Sequence, residues 1–138
     1  MSQEIVYLTR RAVFSASHRL HSNKLTDAQN KEIFGKCNHI NGHGHNYVLE
    51  VTVKGSIDEN TGMVMDLMAL KAVIDEVIMQ RVDHKHFNLD VIEFATLNPT
   101  TENIVVTFWE WLEKALPANS LHELVLHETE NNKVVYRG

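Results

Sequence analysis

The stretch KCNHINGHGHNY, residues 36 to 47, contains the side chains best suited to chemistry. It holds the single cysteine, Cys37, and three of the nine histidines, His39, His43 and His45. In a β-strand, residues two apart point the same way and lie about 6.5 Å apart. His43 and His45 could therefore converge on one ion, and the spacing predicts a metal site with two ligands from this stretch.

A third ligand has to come from another part of the chain, and His18 is the best candidate. Residues 4 to 18 form a predicted strand in which Phe14, Ala16 and His18 share one face. Three imidazoles leave the fourth tetrahedral position open, which is typical of a catalytic zinc rather than a structural one. A closed four-ligand site that includes Cys37 is the competing interpretation.

Cys37 cannot form an intramolecular disulfide, so it is a free thiol. If it lies beside the metal without binding it, the cation and the imidazoles favour the thiolate and make it a usable base. Asp83 directly precedes His84, and a carboxylate that accepts a hydrogen bond from an imidazole can hold it as a proton relay. The alternatives are a small buried hydrophobe for Cys37 and a solvated surface pair for Asp83 and His84.

Glu128 has the same strand parity as the apolar residues Leu124 and Leu126, so it is expected at the end of an inward face. A buried carboxylate needs hydrogen-bond donors. A heterocycle with adjacent N–H groups could supply two of them. An exposed glutamate at the end of a strand is the alternative.

The elements that must position these residues are read from hydrophobic periodicity and capping signals. Four strands and two amphipathic helices follow each other in the order ββααββ, which predicts an α+β fold: a four-stranded antiparallel sheet with two helices on one face. We expect one domain over residues 1–138, and the open sheet edges predict an oligomer. The predicted strands are 4–18, 45–56, 121–128 and 133–138. The first predicted helix runs from a cap at Asp66 to about Arg81, and the second follows the capping segment 98–103 and ends near Pro117.

Composition excludes several classes of function. The net charge is −5 and the pI about 6.0, which argues against nucleic acid as a partner. No apolar stretch reaches the roughly 18 residues that a membrane span requires, and the first residues do not form a signal peptide. The expected location is therefore the cytoplasm, without a membrane partner.

Six segments, in order along nearly the whole chain, together resemble the 6-pyruvoyl-tetrahydropterin synthase family. The resemblance implies a tunnelling-fold (T-fold) subunit, in which three sheets join edge to edge into a barrel and two trimers stack as a homohexamer. It also implies one Zn²⁺ per subunit. The six segments are FSASHRL, FGKCNHINGHGHNY, TGMVMDL, VDHK, PTTEN and HETENN.

The same resemblance implies a zinc-dependent lyase of tetrahydrobiopterin biosynthesis. Its substrate would be 7,8-dihydroneopterin triphosphate, converted to 6-pyruvoyl-tetrahydropterin with elimination of triphosphate, and Mg²⁺ would accompany the triphosphate. Matched position by position, the implied residues are the zinc ligands His18, His43 and His45, the base Cys37, the relay pair Asp83 and His84, the pterin anchor Glu128, and Thr100, Thr101 and Glu102 near the pterin.

Two alternatives remain open at the level of the sequence. The related 6-carboxytetrahydropterin synthase of queuosine biosynthesis typically has its cysteine four residues before the first histidine of H-G-H. Here Cys37 stands six residues before His43, which favours the pyruvoyl branch. The second alternative is a non-catalytic zinc-stabilised interaction domain. The chain also departs from the family at His39 and His86, where asparagine is common.

Overall fold

The computed structural model describes residues 4–138. A π-helical segment, Asp75–Met79, joins the second and third α-helices, and two 3₁₀ turns cover Gly35–Asn38 and Ile92–Ala95. The strands are β1 Ile5–His18, β2 His43–Ser56, β3 Lys85–His86, β4 Leu121–His127 and β5 Lys133–Tyr136, and the α-helices are α1 Asp27–Phe34, α2 Leu67–Ile74, α3 Gln80–Val82, α4 Phe87–Asp90 and α5 Thr101–Ala115.

The five strands form one mixed sheet in the order β3-β1-β2-β4-β5. Four of them are antiparallel neighbours, whereas β3 runs parallel to β1 and pairs with it at Ala16 and Ser17. The α+β class is confirmed, but the prediction of four strands, all antiparallel, is wrong. A strand of two residues is too short to show a period of two in the sequence, so β3 was not predicted.

The core lies between the inner face of the sheet and the two long helical segments. Phe14 of β1 stacks on Tyr47 of β2 with ring centroids 4.9 Å apart. Buried residues of α2, such as Leu70, and of α5, such as Phe108, belong to the same cluster as these strand residues. The prediction that both helices pack on one face of the sheet therefore holds, and the histidines at the ends of β1 and β2 continue this inner face.

Capping residues begin both predicted helices. The Asp66 carboxylate accepts a hydrogen bond from the backbone N–H of Met68 at 2.9 Å, and the Thr100 hydroxyl accepts one from the N–H of Asn103 at 3.2 Å. From Asp66 the chain is helical without interruption through α2, the π segment and α3 to Val82. This agrees with the predicted boundaries, although the π turn itself was not expected.

Helix α1 was not predicted because it has no apolar stripe. Its one buried residue is Asn30, whose side chain accepts from the N–H of Ser22 and donates to the carbonyl of the same residue. A capping box between Thr26 and Gln29 begins the helix. Polar interactions therefore hold α1 in place, and α1 leads directly into the 3₁₀ turn that carries Cys37. In the part of the chain that the structure describes, no helix is long and apolar enough to cross a membrane.

Candidate active site

Three histidines meet where β1 ends and β2 begins. His18 and His43 are directly paired across these antiparallel strands, and His45 is paired with Ala16. The Nε2 atoms of His18 and His43 lie 3.1 Å apart. One ligand atom from each of the three histidines lies within 4.8 Å of the others, so the three could hold a metal ion.

A backbone carbonyl orients the His18 ring. His18 Nδ1–H donates to the carbonyl oxygen of Pro99 at 2.7 Å, which leaves the lone pair of Nε2 directed at the other histidines. The Tyr47 hydroxyl lies 3.4 Å from the same Nδ1. His18 is fully buried, and burial lowers its pKa to about 4. The imidazole is therefore neutral at physiological pH, as a metal ligand must be.

The other two histidines carry buried nitrogens without partners. His45 Nε2 and His43 Nδ1 make no hydrogen bond to protein in the described residues. An orphaned buried nitrogen is costly unless an ion or a ligand satisfies it. Burial also lowers the pKa of His45, more strongly than the nearby Glu128 raises it. Three clustered imidazoles with two unsatisfied buried nitrogens fit a zinc ion with one open position.

Glu128 follows β4 and points to the same place, as its strand parity predicts. Its Oε2 lies 3.9 Å from His18 Nε2, and its Oε1 lies 3.9 Å from His45 Nε2. The Thr101 hydroxyl donates to Oε2 at 2.6 Å. A cavity of about 390 Å³ opens here, which we call the Glu128 cavity. Its walls include Leu20, Phe34, Thr100, Thr101, Glu102 and Glu128.

This cavity brings together all four residues that the resemblance implies for substrate binding. Leu20 and Phe34 were not singled out from the sequence, although they add apolar surface suited to a flat ring. The Pro99 carbonyl was not singled out either, because every residue has a backbone carbonyl and the sequence does not show which one will accept a hydrogen bond. Phe34 ends α1, so only recognition of that helix could have pointed to it.

Cys37 lies half-buried in the 3₁₀ turn Gly35–Asn38. Its carbonyl accepts a hydrogen bond from the N–H of Leu20 at 2.9 Å, which ties the turn to the segment that follows His18. Among the described residues, the group of potential metal ligands consists of the three histidines and does not include Cys37. The geometry therefore favours the open three-histidine site over a closed site with a thiolate.

Asp83 and His84 contact each other beside β1. Asp83 Oδ1 lies 3.0 Å from His84 Nδ1 and accepts a hydrogen bond from the N–H of Ser15, also at 3.0 Å. His84 adopts a left-handed φ of 62°, and its side chain is 82% exposed. Within residues 4–138, neither residue hydrogen-bonds to the three histidines. The carboxylate and the imidazole contact each other, and the His84 ring faces solvent in the single chain, so the relay role stays a prediction.

Comparison with known proteins decides the family. The model of the family described as 6-pyruvoyl tetrahydropterin synthase matches residues 7–138. The chain belongs to this family. A 6-pyruvoyl tetrahydrobiopterin synthase of Poecilia reticulata is 55% identical over 99% of this chain and 93% of its own length. The human protein of the same name is 53% identical over 95% of this chain and 90% of its own length.

A solved structure agrees with this assignment. The 6-pyruvoyl tetrahydropterin synthase of Caenorhabditis elegans is 43% identical and superimposes with a TM-score of 0.95, covering 100% of this chain and 99% of that chain. The resemblance seen in the sequence motifs is therefore confirmed. So is the prediction that the chain is an enzyme of this family, a lyase of tetrahydrobiopterin synthesis.

Proposed function

We propose that the chain converts 7,8-dihydroneopterin triphosphate to 6-pyruvoyl-tetrahydropterin, with elimination of triphosphate, as a zinc enzyme of tetrahydrobiopterin biosynthesis. The observation that carries this proposal is the position of Glu128, whose two oxygens each lie 3.9 Å from a nitrogen of the three-histidine group. Glu128 could therefore hold the pterin ring while the adjacent metal site contacts the reacting side chain of the same substrate.

His18, His43 and His45 would hold the zinc. When bound, the zinc supplies Lewis acidity at an oxygen of the substrate side chain, which makes the neighbouring C–H more acidic. The chain's own contribution is to hold the three imidazoles in place. Burial keeps His18 deprotonated at Nε2, and the Pro99 carbonyl fixes its tautomer. Mg²⁺ is expected to accompany the triphosphate, because it binds phosphate oxygens while keeping much of its water shell.

Glu128 is the proposed pterin anchor. A carboxylate accepts two parallel N–H bonds from a heterocycle that presents adjacent donors. The Thr101 hydroxyl holds one carboxylate oxygen at 2.6 Å, so the carboxylate plane is set before the substrate arrives. Thr100 and Glu102 complete the polar wall of the cavity.

Proton transfers fall to Cys37, Asp83 and His84. The Cys37 thiolate would remove the carbon-bound proton, and the His84 imidazole, held by the Asp83 carboxylate, would carry protons to and from the substrate oxygens. The 3.0 Å contact between Asp83 and His84 supports this relay. Because the His84 side chain is exposed, its partner in the proposed relay would come from outside the single chain.

The open sheet edges support a ring-shaped oligomer. Among the described residues, β1 pairs with β3 only at Ala16 and Ser17, so most of this 14-residue strand presents an unpaired edge. At the opposite side, β5 is the other edge. Exposed apolar residues such as Ile5 and Tyr7 lie along β1. We therefore propose edge-to-edge trimers stacked as a hexamer, which light scattering coupled to gel filtration tests directly.

Product analysis tests the reaction. Purified zinc-loaded protein with 7,8-dihydroneopterin triphosphate and Mg²⁺ should release inorganic triphosphate and a 6-pyruvoyl pterin, identified by mass spectrometry. Release of acetaldehyde with a carboxylated pterin would instead show the 6-carboxytetrahydropterin branch. If neither product forms and chelation unfolds the protein, the non-catalytic zinc-stabilised domain is the correct interpretation.

A further inference from the structure

Another cavity, of about 660 Å³, is lined in part by Arg19, the residue that follows His18. We call it the basic cavity. Its charged lining comprises Arg19, Lys31 and Lys36 with one carboxylate, Asp27. Three cations against one anion give a local excess of two positive charges in a chain whose net charge is −5. Such a concentration of positive charge is the signature of an anion-binding site.

Two histidines in the basic cavity are held as hydrogen-bond donors. His21 Nδ1 accepts from the side-chain amide of Asn38 at 3.0 Å, and His39 Nδ1 accepts from the backbone N–H of Asn41 at 3.2 Å. When Nδ1 is an acceptor, the proton of a neutral imidazole resides on Nε2. Both rings therefore have an N–H group left for a ligand without having to be charged.

Arg19 is held by its inner nitrogen. Its Nε donates to the carbonyl of Asn38 at 3.0 Å, and its backbone N–H donates to the side chain of Asn88 at 2.8 Å. The terminal Nη groups make no hydrogen bond to residues 4–138. A guanidinium anchored at Nε and free at Nη is preorganised to bind a phosphate oxygen pair.

Consecutive residues of the segment that continues from His18 line the basic cavity and the Glu128 cavity in turn. Arg19 and His21 line the basic cavity, whereas Leu20 between them lines the Glu128 cavity. The same division occurs at the end of α1, where Lys31 lines the first cavity and Phe34 the second. A ring held at Glu128 and a polyanionic tail in the basic cavity would thus both contact the short segment that follows His18.

We propose that the basic cavity binds the triphosphate of the substrate, and inorganic triphosphate after elimination. This inference rests on the proposed function for the identity of the ligand. The anion site itself rests only on the cations and donors described above. Neither lysine is placed among the catalytic residues, so their removal should affect phosphate binding and leave the metal site intact.

Calorimetric titration of the zinc-loaded protein with sodium tripolyphosphate tests the site directly. We expect Lys31→Gln and Lys36→Gln each to weaken binding roughly tenfold, which is the loss of one charge-assisted contact. Lys114→Gln is the matched control, because Lys114 is an exposed lysine on α5 outside the cavity. This variant should bind tripolyphosphate as tightly as the wild type does. Added salt should weaken wild-type binding more than binding to the double variant.

Kinetics separate this proposal from the proposed function. The double variant should show a raised KM for 7,8-dihydroneopterin triphosphate, while its affinity for phosphate-free dihydroneopterin and its zinc content stay unchanged. If the double variant binds tripolyphosphate as tightly as the wild type, the basic cavity is not the triphosphate site, even if turnover is normal. If triphosphate binding depends on the lysines but no pterin is converted, the anion site stands and the proposed function fails. Tighter lysine-dependent binding of GTP than of tripolyphosphate would also overturn the assignment, because it would indicate a nucleotide site.

Discussion

Nε2 of His18 and Nε2 of His43 lie 3.1 Å apart at directly paired positions of β1 and β2. At this distance the two rings share a hydrogen bond, in which His43 Nε2–H donates to the lone pair of His18 Nε2. The separation is close to that expected for two ligands on one tetrahedral zinc with bonds of about 2.1 Å. The antiparallel register therefore brings two of the proposed zinc ligands together in the protein without a metal.

The first prediction concerns metal content. His43→Ala should reduce zinc from one ion per chain to a small fraction, since two imidazoles hold zinc far less tightly than three. His39→Ala is the matched control, because His39 lies in the same stretch but outside the three-histidine group. Elemental analysis of protein purified under identical conditions measures both. Equal zinc in the two variants would show that the ion binds elsewhere.

The second prediction concerns Cys37. Cys37→Ala should retain zinc and fold but lose at least about 10²-fold in turnover, the usual contribution of a positioned base. The closed four-ligand interpretation makes the opposite prediction, with zinc lost from the same variant. Turnover at the wild-type rate with zinc bound would refute the assignment of Cys37 as the base.

The third prediction concerns the pH dependence of stability in the zinc-free protein. The pKa of His18 is about 4 in the folded chain and 6.5 as its ordinary value. Between these pH values the unfolded chain binds the proton and the folded chain does not, so the free energy of unfolding falls as pH decreases. Keeping His18 unprotonated in the folded chain contributes about 3 kcal/mol to the free energy of unfolding above pH 6.5. This contribution is lost by about pH 4.

Urea unfolding of chelator-treated protein between pH 7.5 and 4 measures this dependence. Carboxylates and other histidines also titrate in this range, so the wild type is compared with His18→Gln. Between pH 7.5 and 4 the free energy of unfolding should fall less in His18→Gln than in the wild type, and the difference should be about 3 kcal/mol. Identical slopes in the two proteins would mean that burial does not suppress protonation of this imidazole.

The fourth prediction concerns the turn before His43. Gly42 has φ of 74°, and a Cβ there would lie 2.8 Å from His86 Nε2 and 2.9 Å from the His18 carbonyl oxygen. Gly62 has the same φ but no atom within 4 Å of such a Cβ. Both alanine variants should lose about 1 kcal/mol of stability from backbone strain. Gly42→Ala should lose about 2 kcal/mol more from the clash and also bind zinc more weakly, as thermal melting and zinc titration would show.

The fifth prediction concerns the hydrogen bond from Thr101 to Glu128. Thr101→Val should weaken binding of a pterin analogue roughly tenfold, since the carboxylate loses a donor that orients it. In a Glu128→Gln background the same substitution should have a smaller effect. Thr107→Val is the control, because that hydroxyl donates to the Asn103 carbonyl within α5. Additive effects of the Thr101 and Glu128 substitutions would show that the hydroxyl does not act through the carboxylate.

Local patterns were sufficient to predict much of the scaffold. The caps at Asp66 and Thr100 begin helices where expected, because a capping side chain satisfies neighbouring N–H groups through contacts only two or three residues away. Strand alternation placed His18 on the inner face, since the period of two is a property of the backbone itself. The predictions failed at α1 and β3, where polar contacts and a two-residue pairing leave no apolar period.

The sequence by itself determined which side chains are available for chemistry and on which face of each strand they lie. Residue type and strand parity are local properties, so H-G-H, the parity of Glu128 and the family motifs could be read directly. Only the tertiary structure decided which groups meet. The contact between His18 and His43, the Pro99 carbonyl on His18, and the separate cavities lined by Leu20 and by Arg19 and His21 depend on strand register and on the path of α1. These are long-range relationships, set by packing between segments far apart in the chain.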